Sequence, residues 1–498
     1  MDVNFQNRDD SCLNLAVREL QNSEQTQEIK LTEGMPDVGK ILAAWGQPIL
    51  RGKEWNADTL NYTGGMMVWV LYAPEDGSPE QCLEGWIPFQ LRWDLPEELP
   101  EGQIRLRLLP RLVDARSVSP RKILVRAGMA VMAEAFVPAR IPVPELEAAP
   151  DGVELLRRTY PVRLMKEAGE KSFVVDEELT LPDSAPVPEQ IVYYRVEPRV
   201  TDRKVLSEKV VFRGNANLHT LYRGEGGQLQ GWDFDLPFSQ YAELSGEYGP
   251  EAQADFALCP TSMELELDDE GHLHFKCGVT AQYCITDREQ LNVVEDAYSP
   301  NRELTIHTQT LEVPAILENR RETVYAQAEI PAEANAAADV RFLPDFPRQR
   351  FRDGGVELEL PGVFQTLYYG DDGMLNAGSA RWDGTLNLNA DENTRLTAVP
   401  APAIPQSSLG SGKLSMKAEL PLELTAMATQ QLPVVTGLAL GEERKPDPGR
   451  PCLILRRAGT DSLWQIAKAT HSTVGSIREA NGLQSEPAPG QLLLIPVL

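Results

Sequence analysis

The sequence predicts a mainly β fold, in which three tandem antiparallel β-domains are followed by a small βααβ domain. The first observation is a block of sequence that occurs three times at a nearly constant interval. The second is the alternation of β-branched and aromatic residues with polar ones, interrupted by glycine-containing steps of hairpin length. The third is a change to helical periodicity near the C-terminal end of the sequence.

Composition and charge indicate several domains and exclude some partners. A chain of 498 residues exceeds what one hydrophobic core supports, and 42% hydrophobic residues can supply several cores. The formal net charge of −27 disfavours nucleic acid, anionic lipid and wall polymers as targets of the whole surface. The C-terminal end is basic instead, with Arg450, Arg456, Arg457, Lys468 and Arg478 against Asp461, Glu479 and Glu486. We therefore expect a separate C-terminal module and no nucleic-acid partner.

The N-terminal segment and the cysteines favour a protein that stays in the cell that makes it. The segment MDVNFQNRDDSC is charged where a signal peptide needs an apolar core. The longest apolar stretch, residues 127–143, contains Glu134, Arg140 and two prolines, short of the ~20 apolar residues of a spanning helix. Six cysteines without a CxxC pair are typical of reduced thiols. We expect a cytoplasmic protein without a membrane span.

The repeated block defines the tandem organisation. Each copy has a glycine, an apolar run ending in tyrosine, an acidic turn with glycine, and then tryptophan. The three copies span residues 64–89, 214–238 and 362–384. The tyrosines are Tyr72, Tyr222 and Tyr369, 150 and 147 residues apart, and the tryptophans that follow at similar offsets are Trp86, Trp232 and Trp382.

Turn chemistry and local pattern refine the prediction. Positive φ angles are expected at turn glycines, namely Gly77, Gly226, Gly227 and Gly373. An irregular alternation near Gly214 predicts a β-bulge, and residues 38–45 and 151–158 could form a turn or two of helix. The expected β-domains cover residues 10–150, 151–300 and 301–440, followed by a linker at 441–450 and a last domain at 451–498. Because the linker is rich in charge, proline and glycine, the last domain is expected to move independently.

The C-terminal domain has the pattern strand, helix, helix, strand. Thr460, Asp461 or Ser462 can cap the helix LWQIAKAT, and Ser472 or Thr473 can cap the next helix.

The ordered motifs LWQIA, IREANGL and PGQLLLIP closely resemble the LysM family. This resemblance implies a groove between two loops that binds N-acetylglucosamine-containing glycan or, in some members, a protein. Transferred by position, the groove residues are Gly459, Thr460, Asp461, Ser462, Asn481, Leu483, Pro489 and Gly490. The first loop is one residue longer than the family pattern Gly-Asp-Thr-Leu, which favours a protein-binding groove.

The three expected β-domains, together called the body, resemble the SPOCS family. The resemblance is clearest in the segment VVFRGNANLHTLYRGEGGQLQGWDFDLPFSQYAEL. SPOCS-like repeats with a terminal LysM domain are similar to a family of spore coat morphogenetic proteins. The resemblance implies a non-enzymatic scaffold at the forespore surface, in the mother-cell cytoplasm and spore coat. It would tether the basal coat layer, with LysM docked on a coat-basement ATPase and with other coat proteins as partners. The alternatives are a peptidoglycan- or N-acetylglucosamine-binding envelope protein and a repeat adhesin.

No residue pattern predicts catalysis, a metal site or a cofactor. His272, His274 and Cys277 suggest metal ligands, but in a strand the histidines share one face and Cys277 points to the other. Acidic residues 268–270 and 371–372 lie beside glycine and fit solvated turns better than an acid–base pair. GxSxG, HExxH and P-loop patterns do not occur. Trp464 could stack on a sugar, although a place in the LysM core is the preferred interpretation.

Overall fold

The computed structural model describes residues 2–56, 58–95, 99–352, 355–390, 393–410, 412–444, 449 and 451–497. About three quarters of the chain is β-strand, and the two helices of the described residues both lie in the C-terminal domain. The prediction of a mainly β fold followed by a small βααβ domain is confirmed.

The strands fall into three successive segments. The first segment contains β1 (Asp2–Asn4), β2 (Gln6–Lys30), β3 (Val38–Asn56), β4 (Thr59–Pro74), β5 (Gln81–Asp94), β6 (Gln103–Ser119) and β7 (Lys122–Glu145). The second contains β8 (Glu154–Leu179), β9 (Pro188–Gly224), β10 (Leu229–Tyr248), β11 (Gln253–Leu267) and β12 (Leu273–Tyr298). The third contains β13 (Arg302–Pro331), β14 (Ala334–Pro344), β15 (Arg348–Arg352), β16 (Gly355–Gly370), β17 (Leu375–Leu388), β18 (Arg395–Pro400), β19 (Ile404–Gly410) and β20 (Lys413–Glu443).

Each segment uses the same antiparallel pairing. The long first strand pairs with the long last strand, as β2 with β7, β8 with β12 and β13 with β20. The last strand also pairs with the strand before it, which is β6, β11, or β18 followed by β19. The middle strands form separate sheets, β3-β4-β5, β9-β10 and β14-β16-β17. Side chains of these middle sheets pack against the long strands, which makes each segment a two-layered sandwich.

The three segments are packed against one another around shared interior layers. We name the first of these the apolar layer: Cys12, Ile141, Val143, Val162, Leu164, Leu291, Val293, Leu311, Val313, Leu432 and Val434. Its members come from the long strands of all three segments. In addition, β1 at the start of the chain pairs with β20 of the third segment. The segments therefore pack around a common axis and do not form a row of isolated domains.

A second interior layer on this axis is charged. We name it the charged layer: Arg18, Arg105, Arg107, Glu134 and Asp255. Arg105 lies 2.8 Å from Glu134 and 2.7 Å from Asp255 of the second segment. Burial alone would raise the pKa of Glu134, but Arg105, Arg107 and Arg18 outweigh it and hold this pKa well below its usual range. The fully buried carboxylate is therefore charged and fully compensated.

The turn glycines adopt the predicted left-handed conformation. Their φ angles are +75° at Gly77, +101° at Gly226, +82° at Gly227 and +72° at Gly373. The possible helices, by contrast, are strands: β3 begins at Val38 and β8 at Glu154. Residues 38–45 pair with the end of β4, so their apolar side chains are buried by sheet pairing and packing instead of by a helix stripe.

The predicted bulge at Gly214 is wrong. Pairing of β9 with β10 is unbroken from Arg223 to Lys209. A Cβ at Gly214 would lie 1.9 Å from the backbone oxygen of Arg199, so the glycine permits close approach of neighbouring backbone. The alternation fails because the strand becomes buried on both faces from Leu218 onward.

The tryptophans of the repeated block do not occupy equivalent positions. Glycines at matching places on β4, β9 and β16 face Phe89, Phe238 and Trp382, respectively. Trp382 thus corresponds to the two phenylalanines, because hairpins of different length precede it. Tyr72 and Tyr222 are both buried where a central strand enters its turn.

Candidate functional site

The C-terminal domain is built from β21 (Leu453–Arg457), α1 (Leu463–Thr470), α2 (Val474–Asn481) and β22 (Leu492–Pro496). The two strands pair antiparallel. Ser462 caps α1 in a capping box with Gln465, and Thr473 caps α2 by accepting from the Ser476 N–H. Gly482 ends α2 at φ +64°. Both predicted caps are therefore confirmed.

Both helices and both strands contribute to the interior of this domain. Its buried apolar residues are Ala458, Leu463, Ile466, Ala467, Ile477, Leu493 and Ile495. Tyr298, from the end of β12, belongs to the same core. The domain thus completes its core with a residue of the body.

The two loops predicted to form the groove lie side by side. The Gly490 N–H donates to the Ala458 carbonyl at 2.8 Å, and the Leu463 N–H donates to the Glu486 carboxylate at 2.8 Å. The first loop is thereby tied to the loop that follows α2. Gly459, Thr460, Pro489 and Gly490 are exposed in these loops. These four residues form an accessible surface that a ligand could contact.

The other predicted groove residues have internal contacts. The Asn481 amide donates to the Leu494 carbonyl at 2.6 Å and accepts from the Leu494 N–H at 2.7 Å. Ser462 is the cap of α1, and Asp461 pairs with Arg456. Leu483 packs against the domain core. Replacing Asn481 or Leu483 would therefore perturb the domain as well as any ligand.

A second contact surface was not predicted from the sequence. Trp464 Nε1 donates to Asp296 at 2.8 Å, and Lys468 Nζ lies 2.7 Å from the same carboxylate. The Tyr298 hydroxyl donates to the Ser472 carbonyl at 3.0 Å, and its ring meets Trp464 edge-on at 4.7 Å. Trp464 lies at the edge of the LysM core, as preferred above, but it also binds the body. The i, i+4 spacing of Trp464 and Lys468 outside the buried stripe was the available sequence signal.

The last domain was expected to move independently, but it contacts the body. The strand β20 continues to Glu443, which pairs with Arg302, so the first part of the predicted linker is sheet. Residues 445–448 and 450 of that linker lie outside the described residues. The domain is held against the end of β12 by one aromatic contact and three hydrogen-bonded groups.

The residues considered for metal binding are separated. His274 Nε2 lies 2.8 Å from Asp176, whereas Cys277 is buried in the core on the opposite face. In the described ranges, no group of three or more His, Cys, Asp or Glu residues could hold a metal ion. All six cysteines are free, and burial raises the pKa of the Cys277 thiol to about 12. Acidic residues 268–270 lie around the turn at Gly271, as predicted.

Comparison with known families identifies two regions. The family model described as "SipL, SPOCS domain" matches residues 188–266, and the LysM domain model matches residues 460–496. Both families are non-catalytic binding domains. No curated protein matches the chain. No solved structure matches it either. Within the described residues, no helix is long and apolar enough to cross a membrane.

Proposed function

Because the chain is a SPOCS plus LysM protein like SipL, we propose that it is a non-enzymatic scaffold of spore coat assembly. In this proposal the body tethers the basal coat layer to the forespore surface, from the mother-cell cytoplasm. The observation that carries it is a LysM domain that binds the body through Trp464 while its groove loops stay exposed. A scaffold needs such a fixed, outward-facing recognition surface.

The proposed partner of the groove is a protein, namely the coat-basement ATPase. Two features support a protein partner. The first loop is longer than the family pattern, and the Asp461 carboxylate is already engaged by Arg456 within the loop. Other coat proteins are proposed to contact the body, whose large acidic surface suits basic partners.

Glycan binding is the second candidate, because the LysM match itself favours it. The two loops lie side by side, as a glycan groove requires. Peptidoglycan or N-acetylglucosamine oligomers would then contact Gly459, Thr460, Pro489 and Gly490.

A bulky substitution in the groove separates these candidates. A Cβ at Gly459 would meet no atom within 4 Å and its φ is not positive, so Gly459→Arg fills the groove without strain. Ala469→Arg, at an exposed site of α1, adds the same charge elsewhere. Binding of the full chain to the ATPase and to N-acetylglucosamine oligomers is measured for the wild type and both variants.

The scaffold proposal expects ATPase binding that Gly459→Arg weakens at least about tenfold and Ala469→Arg leaves unchanged, as for a residue at the centre of an interface. Tight oligomer binding without ATPase binding would replace it with the glycan candidate. Muropeptide release from peptidoglycan above a heat-inactivated control would contradict a non-enzymatic role. Fluorescence of a tagged copy during sporulation tests the proposed location.

A further inference from the structure

A cleft of about 320 Å³ opens on the common axis of the three segments. It is lined by residues of β3 and β6, of β9 and β11, and of β13, β14, β18 and β20. Every segment thus contributes to its wall. The proposed coat function does not use this cleft, although its lining on β9 and β11 lies within the matched residues 188–266.

Prolines from all three segments line the cleft. They include Pro48, Pro198 and Pro344, 150 and 146 residues apart, and Pro110, Pro260 and Pro400, 150 and 140 residues apart. Proline has no backbone N–H, so these edges cannot pair across the cleft. Strand register also shifts directly after Pro110 and Pro260, and β18 ends at Pro400. The opening is therefore a feature that each segment repeats.

The wall of the cleft is cationic in an acidic protein. It contains Arg107, Arg199, Arg203, Arg321 and Arg341 against Glu197 and Glu423. Arg107 belongs to the charged layer, and Arg321 pairs with Glu423 at 2.9 Å. Within the lining, Arg199, Arg203 and Arg341 then remain against Glu197, while Asp339 and Asp255 behind the lining offset part of the charge of Arg341 and Arg203. This excess of positive charge attracts anions, although the net charge of the chain is −27.

Two arginines in this wall, one buried and one partly buried, each have a buried N–H that is not used. Among the described residues, Arg199 Nε and Arg341 Nε are buried without a hydrogen-bond partner. Arg341 is only 3% exposed, and its Nη2 donates to the Gly46 carbonyl at 3.0 Å. Burial lowers the pKa of Arg341, which reflects the cost of its poorly compensated charge. A buried N–H without an acceptor is costly, so an acceptor from a ligand would be favourable.

We propose that this cleft binds a small organic anion, with a carboxylate or phosphate group held by Arg199 and Arg341. The forked guanidinium group matches the oxygens of both acids. Phe256, Phe342 and Phe346 line the same cleft, so the ligand has an apolar body beside its acidic group. The volume lies at the lower end of small-molecule sites, which favours a small ligand over a folded partner segment.

The test is a calorimetric titration of the full chain with benzoate, phenyl phosphate and neutral benzamide, up to about 10 mM, ten times the Kd of a weak complex. We expect saturable binding of at least one anion and at least about tenfold weaker binding of benzamide. Comparison of the two anions distinguishes a carboxylate from a phosphate site.

Variants assign the binding to the cleft. Arg199→Met is expected to weaken anion binding at least about tenfold, since one charge-assisted contact is lost. Arg199→Lys keeps the charge without the fork and should bind with intermediate affinity. Arg126→Met removes an arginine whose side chain is 57% exposed on β7 and should bind like the wild type. Circular dichroism confirms that each variant is folded.

The proposal is overturned if neither anion binds saturably to the wild type, or if benzamide binds equally well. It is also overturned if folded Arg199→Met binds with wild-type affinity, or if Arg126→Met loses as much affinity as Arg199→Met. In the last case the anions bind the surface through general electrostatic attraction. Each outcome is independent of whether the LysM groove binds a protein or a glycan.

Discussion

The apolar layer joins all three segments, whereas the charged layer joins the first segment to the second by ion pairs. In the apolar layer each segment contributes aliphatic residues from its long strands. At the level of the charged layer, each segment has one pair of facing residues, on its last strand and on an earlier strand that pairs with it, and these pairs differ. They are Arg105 with Glu134 in the first segment, Asp255 with Cys284 in the second, and Thr397 with Thr425 in the third. Similar residues hold the segments together, whereas dissimilar ones determine which segment lies beside which.

This difference has an energetic consequence. Aliphatic contacts tolerate small changes of volume, since neighbouring side chains relax in part. A buried carboxylate between three arginines does not tolerate loss of its charge, because the arginines remain buried without compensation. The charged layer is therefore expected to be the more sensitive one, although it contains fewer residues.

The largest expected effect is that of Glu134→Gln. Glu134 is fully buried, and its loss leaves Arg105 and Arg107 paired with Asp255 while Arg18 loses its ion pair with Glu134. We expect unfolding free energy to fall by about 3–5 kcal/mol. Urea unfolding followed by circular dichroism measures it.

The matched control is Glu24→Gln on β2, the long strand that pairs with the strand carrying Glu134. Its side chain is 59% exposed and lies 3.9 Å from Arg126. The change should stay within about 0.5 kcal/mol. Equal effects of the two variants would mean that the charged layer has no special role.

The apolar layer should respond less to a comparable change. Ile141 is 2% exposed in this layer, and Ile141→Val is expected to cost about 0.5–1.5 kcal/mol. Val174→Ala, at a site that is 56% exposed, serves as the control and should change stability by less than about 0.5 kcal/mol. A loss for Ile141→Val as large as for Glu134→Gln would contradict the distinction between the layers.

A smaller, pH-dependent effect is expected where the second and third segments meet. His219 lies 2.7 Å from Asp233 and 2.9 Å from Asp339. Burial and Arg195 lower the pKa of His219, but the two aspartates outweigh them and the net pKa is raised. The stabilisation is fully present below the unfolded pKa of about 6.5 and is lost as pH rises through the folded value.

The pKa of Asp339 is shifted in the opposite direction, so its contribution to stability depends on pH in the opposite way. Burial would raise its pKa, but His219, Arg195 and Arg341 lower it to about 2. Its contribution is therefore present at neutral pH and lost as pH falls from about 4 towards 2. Urea midpoints of the wild type should fall at both extremes, and those of His219→Gln should lose the alkaline part. Parallel pH profiles of the two proteins would show that His219 does not stabilise this junction.

The sequence was informative where burial follows one simple period. The helices of the C-terminal domain, their caps and the turn glycines were predicted, because each depends on residues within a few positions of one another. The common axis was not predicted. The pattern around Cys12, Val162 and Leu311 indicates buried strands, but it does not indicate that the side chains covering them belong to other segments.

The candidate site also contains residues that local sequence predicted and contacts that it could not predict. The loops at Gly459 and Gly490 were predicted by resemblance, and the structure describes them side by side. Asn481 was predicted as a groove residue, but its amide is used within the domain. The Trp464 contact depends on Asp296, which is far away in sequence and has no local pattern that would identify it. The residue limits predicted for the three domains stay a prediction.

The smallest expected effect concerns the contact between LysM and the body, which lies outside both layers. Asp296 accepts from Trp464 and pairs with Lys468, but its side chain is 28% exposed and the ion pair is screened by solvent. Asp296→Asn keeps an acceptor for Trp464 and removes the charge, so global unfolding free energy should fall by less than about 1 kcal/mol. Local opening should change more, because α1 loses part of its attachment while the Tyr298 contact remains. Hydrogen exchange of α1 is expected to accelerate in Asp296→Asn and to stay unchanged in Asp269→Asn, a control at an exposed turn of the same segment. Unchanged exchange in both variants would mean that the charge of Asp296 does not help to hold LysM against the body.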